Sequence, residues 1–169
     1  MELYLLIDYI GAYAPIILFF FTLLLLRNKQ RYLQFFVYGF ILNNILNIIL
    51  KLLIKEPRPL KDKKAIEIGI VNGARIGFDN FGMPSGHAQN CGYYLIFITM
   101  VLNDPFITTI YLVISLISLF QRYLYNNHTF LQLIVGLIIG CFFGFFTYTI
   151  ASKFITGNIR MKKDDDGPL

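Results

Sequence analysis

HTFLQLIVGLIIGCFFGFFTYTIASKF, residues 128–154, combines a membrane-length apolar run with a regular stripe of polar and small residues. From Thr129 to Phe154 it is apolar enough to cross a bilayer as a helix, which takes about 20 residues. His128, Gln132, Gly136, Gly140 and Gly144 recur every four residues. That spacing puts them on one helix face. The glycines form overlapping small-xxx-small patterns, which let two helices approach closely. This face therefore points into a bundle and carries His128 and Gln132 inward with it.

Four more runs of the same kind lie upstream: Leu3–Leu26, Tyr32–Ile54, Ser85–Leu102 and Phe106–Phe120, the last short and extendable to Tyr125. The chain of 169 residues is 56% hydrophobic and 15% charged. A soluble domain would hold about 25% charged residues. The expected fold is all-α: an integral membrane bundle of five transmembrane helices. Residues 1–154 form one membrane domain, and residues 155–169 form a polar tail expected to be disordered. The first run reads as a span rather than a cleaved leader, because it opens on Glu2 and its apolar stretch is long. Cys91 and Cys141 fall inside spans with no metal or disulfide spacing, as small apolar packers do.

The net charge of +5 does not point to nucleic acid. The basic residues stand at span ends and in loops, where they meet lipid head groups. Five spans put the termini on opposite sides. The basic turn Arg27–Arg31 then shares a face with the tail, and the long connection Lys55–Met83 lies on the other. Charge is nearly balanced between the faces; we expect a cytoplasmic tail and a functional site on the non-cytoplasmic face. Within the long connection, Ile66, Ile68 and Ile70 alternate, Asn72-Gly73 follows, and Ile76 and Phe78 alternate again. Asn-Gly between alternating apolar residues signals a hairpin; an irregular loop is the plainer alternative.

Polar residues inside spans are costly and default to function. Asn43, Asn47 and Lys51 share one face of the second span, with Asn44 beside them. The asparagines suit interhelical hydrogen bonding. Lys51 alone could snorkel to the interface, but Arg58, two turns beyond, makes a shared anion site. Pro57 and Pro59 bracket Arg58 and end the helix. Pro84-Ser85-Gly86-His87 opens the third span. Free amides at a helix start bind phosphate, and Gly86 lets a ligand come close. A capped helix start is the bland alternative.

Lys51-x6-Arg58-Pro59, then Pro84-Ser85-Gly86-His87, then Arg122-x5-His128 resemble the signature of the type 2 phosphatidic acid phosphatase superfamily. The resemblance covers Lys51 to Gln132. It implies that Lys51, Arg58 and Arg122 clamp a phosphate, with the Ser85 and Gly86 amides completing the cage. It also implies that His128 attacks phosphorus to form a phosphohistidine, and that His87 protonates the leaving oxygen and then activates water. Two positions depart. Gln121 stands where the family has Ser, and Gln132 where it has Asp. Gln132 can still orient His128 by accepting its N–H, but brings no charge; Asp79 or Glu56 could supply a carboxylate. H-x3-Q also occurs in the dolichyl diphosphatase and glucose-6-phosphatase branches. Glu56-Pro57-Arg58-Pro59, Gly82-Met83-Pro84-Ser85 and His128-Thr129-x2-Gln132 resemble the former most.

The expected activity is hydrolysis of a lipid phosphate or diphosphate in the membrane, best a polyprenyl or dolichyl diphosphate to its monophosphate. No Asp/Glu/His cluster has metal-ligand spacing, so neither metal nor cofactor is expected. Phosphatidic acid, phosphatidylglycerol phosphate or a soluble sugar phosphate are alternative substrates. A non-catalytic protein that binds anionic lipid is the alternative of another class, which Gln132 keeps open.

Overall fold

A computed structural model describes residues 2–59, 70–71, 74–75 and 77–154. They form the helices α1 Glu2–Leu25, α2 Gln30–Ile54, α3 Gly86–Leu102, α4 Pro105–Leu124 and α5 Phe130–Lys153. The helical bundle expected from the sequence is present. Four helices, α1, α2, α4 and α5, hold stretches long and apolar enough to cross a membrane. The fifth, α3, has 17 residues, just short of the usual ~20.

The position of α3 accounts for its composition. It packs on each of the other four helices and buries Ala88, Gln89, Cys91, Gly92, Tyr93, Tyr94, Phe97, Ile98 and Val101. A central helix that meets protein on all sides can carry polar residues that lipid would not accept. The amides named in the sequence do bond between helices. Asn43 Nδ2 donates to Asn90 Oδ1 at 2.8 Å, and Gln89 Nε2 donates to Asn43 Oδ1 at 2.9 Å. Asn47 Nδ2 donates to Gln89 Oε1 at 2.8 Å and to the Pro84 carbonyl at 3.2 Å.

The glycine stripe of α5 lies on α3. A Cβ on Gly136 would stand 2.5 Å from the Ser85 carbonyl oxygen, and one on Gly144 would stand 2.6 Å from that of Tyr93. A Cβ on Gly140 would collide with the Gln89 carbonyl. Each glycine thus faces a residue four further along α3, one turn matched to one turn. The end of α3 away from Ser85 is held by an aromatic cluster, in which Phe36 packs on Tyr93, Tyr94 and Phe97 at 5.5–5.6 Å between ring centroids.

The C-terminal ends of α2 and α4 agree with the sequence reading, which closes the second span at Ile54 and lets the fourth extend to Tyr125. Helix α4 runs on to Leu124, so Gln121 and Arg122 belong to its last turn. Its start is set by Asp104, whose Oδ1 accepts from the Phe106 and Ile107 amides at 2.8 and 3.1 Å. Helix α2 ends at Ile54, where the C-cap Lys55 takes a left-handed φ of 52° two residues before Pro57.

In the long connection, Ile70–Val71 (β1) pairs antiparallel with Ala74–Arg75 (β2), and Val71 faces Ala74. Asn72 and Gly73 are the two residues between the strands, as the hairpin expectation requires. Asn72, Gly73, Ile66, Ile68 and Ile76 lie outside the described residues, as does the tail from residue 155. Phe78 does not continue the second strand. It belongs to a 3-10 turn, Gly77–Asn80, and its ring centroid is 5.9 Å from Lys51 Nζ.

Candidate active site

The C-terminal ends of α2 and α4 and the N-terminal ends of α3 and α5 meet at one end of the bundle. His128 stands just before Thr129, the N-cap of α5. Thr129 and Gln132 form a capping box. The Gln132 amide donates to Thr129 Oγ1 at 3.2 Å, and the Thr129 amide donates to Gln132 Oε1 at 3.2 Å. Gln132 therefore both starts the helix and reaches the histidine.

The protonation of the His128 ring follows from its neighbours. Gln132 Nε2 donates to the Pro57 carbonyl at 3.0 Å and to Glu56 Oε1 at 2.7 Å. A carbonyl only accepts, so the Gln132 nitrogen is on that side and Oε1 faces His128. His128 Nδ1 is 3.3 Å from that oxygen and 3.0 Å from the Gly82 carbonyl. Both are acceptors, so Nδ1 carries the proton. In the neutral ring Nε2 then holds a lone pair, and Arg58 Nη1 donates to it at 3.1 Å.

A Cβ on Gly82 would collide with the Gln132 amide, so a larger residue there would displace the side chain that orients His128. Of the two carboxylates named as substitutes for the missing family Asp, Glu56 is the one behind Gln132. Asp79 is engaged elsewhere.

Asp79 gathers the cations. Its Oδ1 is 2.6 Å from Arg58 Nη2 and 3.5 Å from Lys51 Nζ, and its Oδ2 is 2.7 Å from Arg75 Nη1. Burial pushes the Asp79 carboxyl up, but Arg58, Arg75 and Lys51 outweigh it and hold the group below the usual carboxylate range. Lys51 does not snorkel: it is 4% exposed and faces the site. Burying an unpaired ammonium would be costly, and Asp79 offsets that cost.

Asn127 ties the second arginine in. Its carbonyl accepts from Arg58 Nη1 at 3.0 Å, and its Oδ1 accepts from Arg122 Nη1 at 3.3 Å. Arg122 is fully buried. Asn127, Arg75 and the Gly82 carbonyl escaped the sequence reading. Asn127 had one available signal, its place directly before His128.

The start of α3 needs one correction. The Ser85 amide does not face a ligand, because it donates to the Gln132 carbonyl at 3.1 Å. That carbonyl belongs to another helix, so spacing could not reveal it. The Ser85 side chain caps α3 by accepting from the Ala88 amide at 3.5 Å. The Gly86 and His87 amides are the first two of α3, where helix geometry supplies no acceptor. The ring of His87 is turned toward α1, with Nε2 3.1 Å from the Ala12 carbonyl.

The charges of Arg122, Arg58 and Lys51 all act on His87, and those of Arg58, Lys51 and His87 act on His128. Burial first, and then these charges, hold the His128 ring well below the usual imidazole range. A neutral imidazole with a lone pair on Nε2, set among cations, can attack an electrophile that carries negative charge. Gln121, at the other departure from the family pattern, donates from Nε2 to Asp8 Oδ1 at 2.8 Å.

No curated protein and no solved structure matches the chain. The family model of the PAP2 superfamily matches residues 31–156, which is more than half of the sequence and includes all the motif residues described above. The helical membrane bundle with its cluster of cations and two histidines therefore belongs to the PAP2 superfamily, whose members are phosphatases.

Proposed function

We propose that this protein is a lipid phosphatase that transfers phosphate through His128, with a polyprenyl diphosphate as its preferred substrate. The observation that carries this reading is the His128 ring, with Nδ1 held by Gly82 and Gln132 and Nε2 directed at Arg58. Its lone pair forms a bond to phosphorus while the bond to the leaving oxygen breaks. His87 gives that oxygen a proton. Water then attacks phosphorus, the nitrogen–phosphorus bond breaks, its electron pair returns to Nε2, and His87 takes the proton from the water. Lys51, Arg58, Arg122 and the Gly86 amide stabilise the charge on the phosphoryl oxygens, the main catalytic term in such transfers. Asp79 and Asn127 hold those cations, and Glu56 places a carboxylate behind Gln132.

Two observations favour a lipid diphosphate. The site is at helix ends, where a phosphate can stay in the polar layer and a tail in hydrocarbon. Arg75 adds a fourth cation on the same carboxylate as Arg58, which suits the larger charge of a diphosphate. The basic turn Arg27–Arg31 is at the opposite end of the bundle, and we assign that end to the cytoplasm. A cysteine placed in this turn and labelled by an impermeant reagent from outside intact cells would refute the orientation.

A panel of prenyl diphosphate, phosphatidate, phosphatidylglycerol phosphate and glucose 6-phosphate, with purified protein in detergent, tests the substrate. We expect prenyl diphosphate to have the highest kcat/KM, a chelator to leave it unchanged, and Arg75→Ala to lower it more than the value for phosphatidate. Preference for phosphatidate would favour the monophosphate reading. Binding of anionic lipid with no hydrolysis would favour the non-catalytic one.

A further inference from the structure

Helix α1 precedes the family match, which begins at residue 31, yet it touches His87 of the candidate site and bonds to α4 at Ser118 and Gln121. Pro15 lies in its interior. Proline has no N–H, so the Gly11 carbonyl four residues back loses its helical donor. Ser118 Oγ of α4 donates to it instead, at 2.8 Å. Neighbouring helices commonly satisfy backbone groups freed in this way. One residue further on the same turn, the Ala12 carbonyl accepts from His87 Nε2 at 3.1 Å. Gly11 permits the approach of α4, because a Cβ there would stand 2.6 Å from Gln121 Cβ. One turn earlier, Asp8 accepts from Gln121. Gln121 and Gly11 thus fit one another: the residue larger than the family's Ser packs where α1 has no side chain.

We propose that α1 is the positioning element of the general acid: the Ala12 carbonyl, on the turn broken by Pro15, holds His87 Nε2–H and leaves Nδ1 to exchange the proton. This rests on the phosphatase reading above. A carbonyl only accepts, so Nε2 keeps its proton in both the charged and the neutral ring. In the first step the Nδ1 proton goes to the oxygen that takes the electron pair of the broken phosphorus–oxygen bond. In the second step Nδ1 recovers a proton from the attacking water. The ring is anchored throughout and need not turn between steps. The two histidines then adopt opposite tautomers, His128 protonated on Nδ1 and His87 on Nε2.

The chain has only two histidines, so nitrogen NMR of histidine-labelled protein in micelles can read both tautomers. At alkaline pH, where both rings are neutral, His87 is expected to be protonated on Nε2, with assignment by His87→Gln. A His87 ring protonated on Nδ1 would overturn the proposal. Pro15→Ala provides the kinetic test, since the restored amide competes with Ser118 for Gly11 and draws the turn back from His87. First-turnover release of alcohol from an alkyl phosphate should fall about tenfold or more, as the loss of a placed acid does. The burst of nitrophenolate from 4-nitrophenyl phosphate, which leaves without a proton, should fall less than about twofold on the same basis. Equal losses, or none, would overturn the proposal. A wild-type protein inactive on both esters would instead refute the phosphatase reading, and the NMR result would still decide how His87 is held.

Discussion

On the proposed mechanism, the family's carboxylate beside His128 is replaced in two parts. Gln132 supplies the geometry, an oxygen 3.3 Å from Nδ1, and Glu56 supplies the charge, 2.7 Å from the far side of the same amide. Polarisation through an amide is weaker than direct contact, so Glu56→Gln should slow turnover by about tenfold, or ~1.4 kcal/mol, without abolishing it. A variant as fast as the parent would show that Glu56 only braces the loop. The low basicity of His128 has a second consequence. A group held below its ordinary value stays neutral as pH falls through that value, and imidazole ordinarily titrates near ~6.5. The His128 signal in an NMR titration should therefore not change near that pH in the free protein. A midpoint at or above it would contradict the buried, cation-flanked site.

At the scale of the element, the close packing of α3 on α5 places the motif Pro84-Ser85-Gly86-His87 over Gln132. The Ser85 amide bonds to the Gln132 carbonyl, and the glycine ladder continues that contact along both helices. Gly140→Ala would drive a Cβ into the Gln89 carbonyl, and a backbone cannot yield as a side chain can. Overpacking costs about 1–3 kcal/mol, so the melting temperature in detergent should drop and activity fall with it. An unchanged melting temperature would mean that the helices are not this close. The ladder was legible in the sequence, because a repeat of four on an apolar run has one structural meaning. The partner of the Ser85 amide was not legible, because a backbone contact between helices 47 residues apart leaves no trace in spacing. The hairpin was legible in the pairing of its strands and misread at Phe78, where the chain coils into a 3-10 turn toward Lys51.

At the scale of the whole molecule, five helices alternate in direction, so residues far apart in sequence come together at one end. The three motifs were legible because each keeps its chemistry within a few residues. The part played by α1 was not, because it works through the Gly11 and Ala12 carbonyls and through Asp8, which read as an ordinary apolar span with one acid. The central claim is that these parts form a phosphoryl-transfer site with His128 as the nucleophile. Brief reaction of the purified protein with a ³²P-labelled prenyl diphosphate, followed by denaturation and peptide mapping, tests it directly. The expected result is an acid-labile, base-stable phosphate on the peptide that contains His128, absent from His128→Ala, which should also release no phosphate while remaining folded. Full phosphate release by His128→Ala would rule out His128 as the nucleophile.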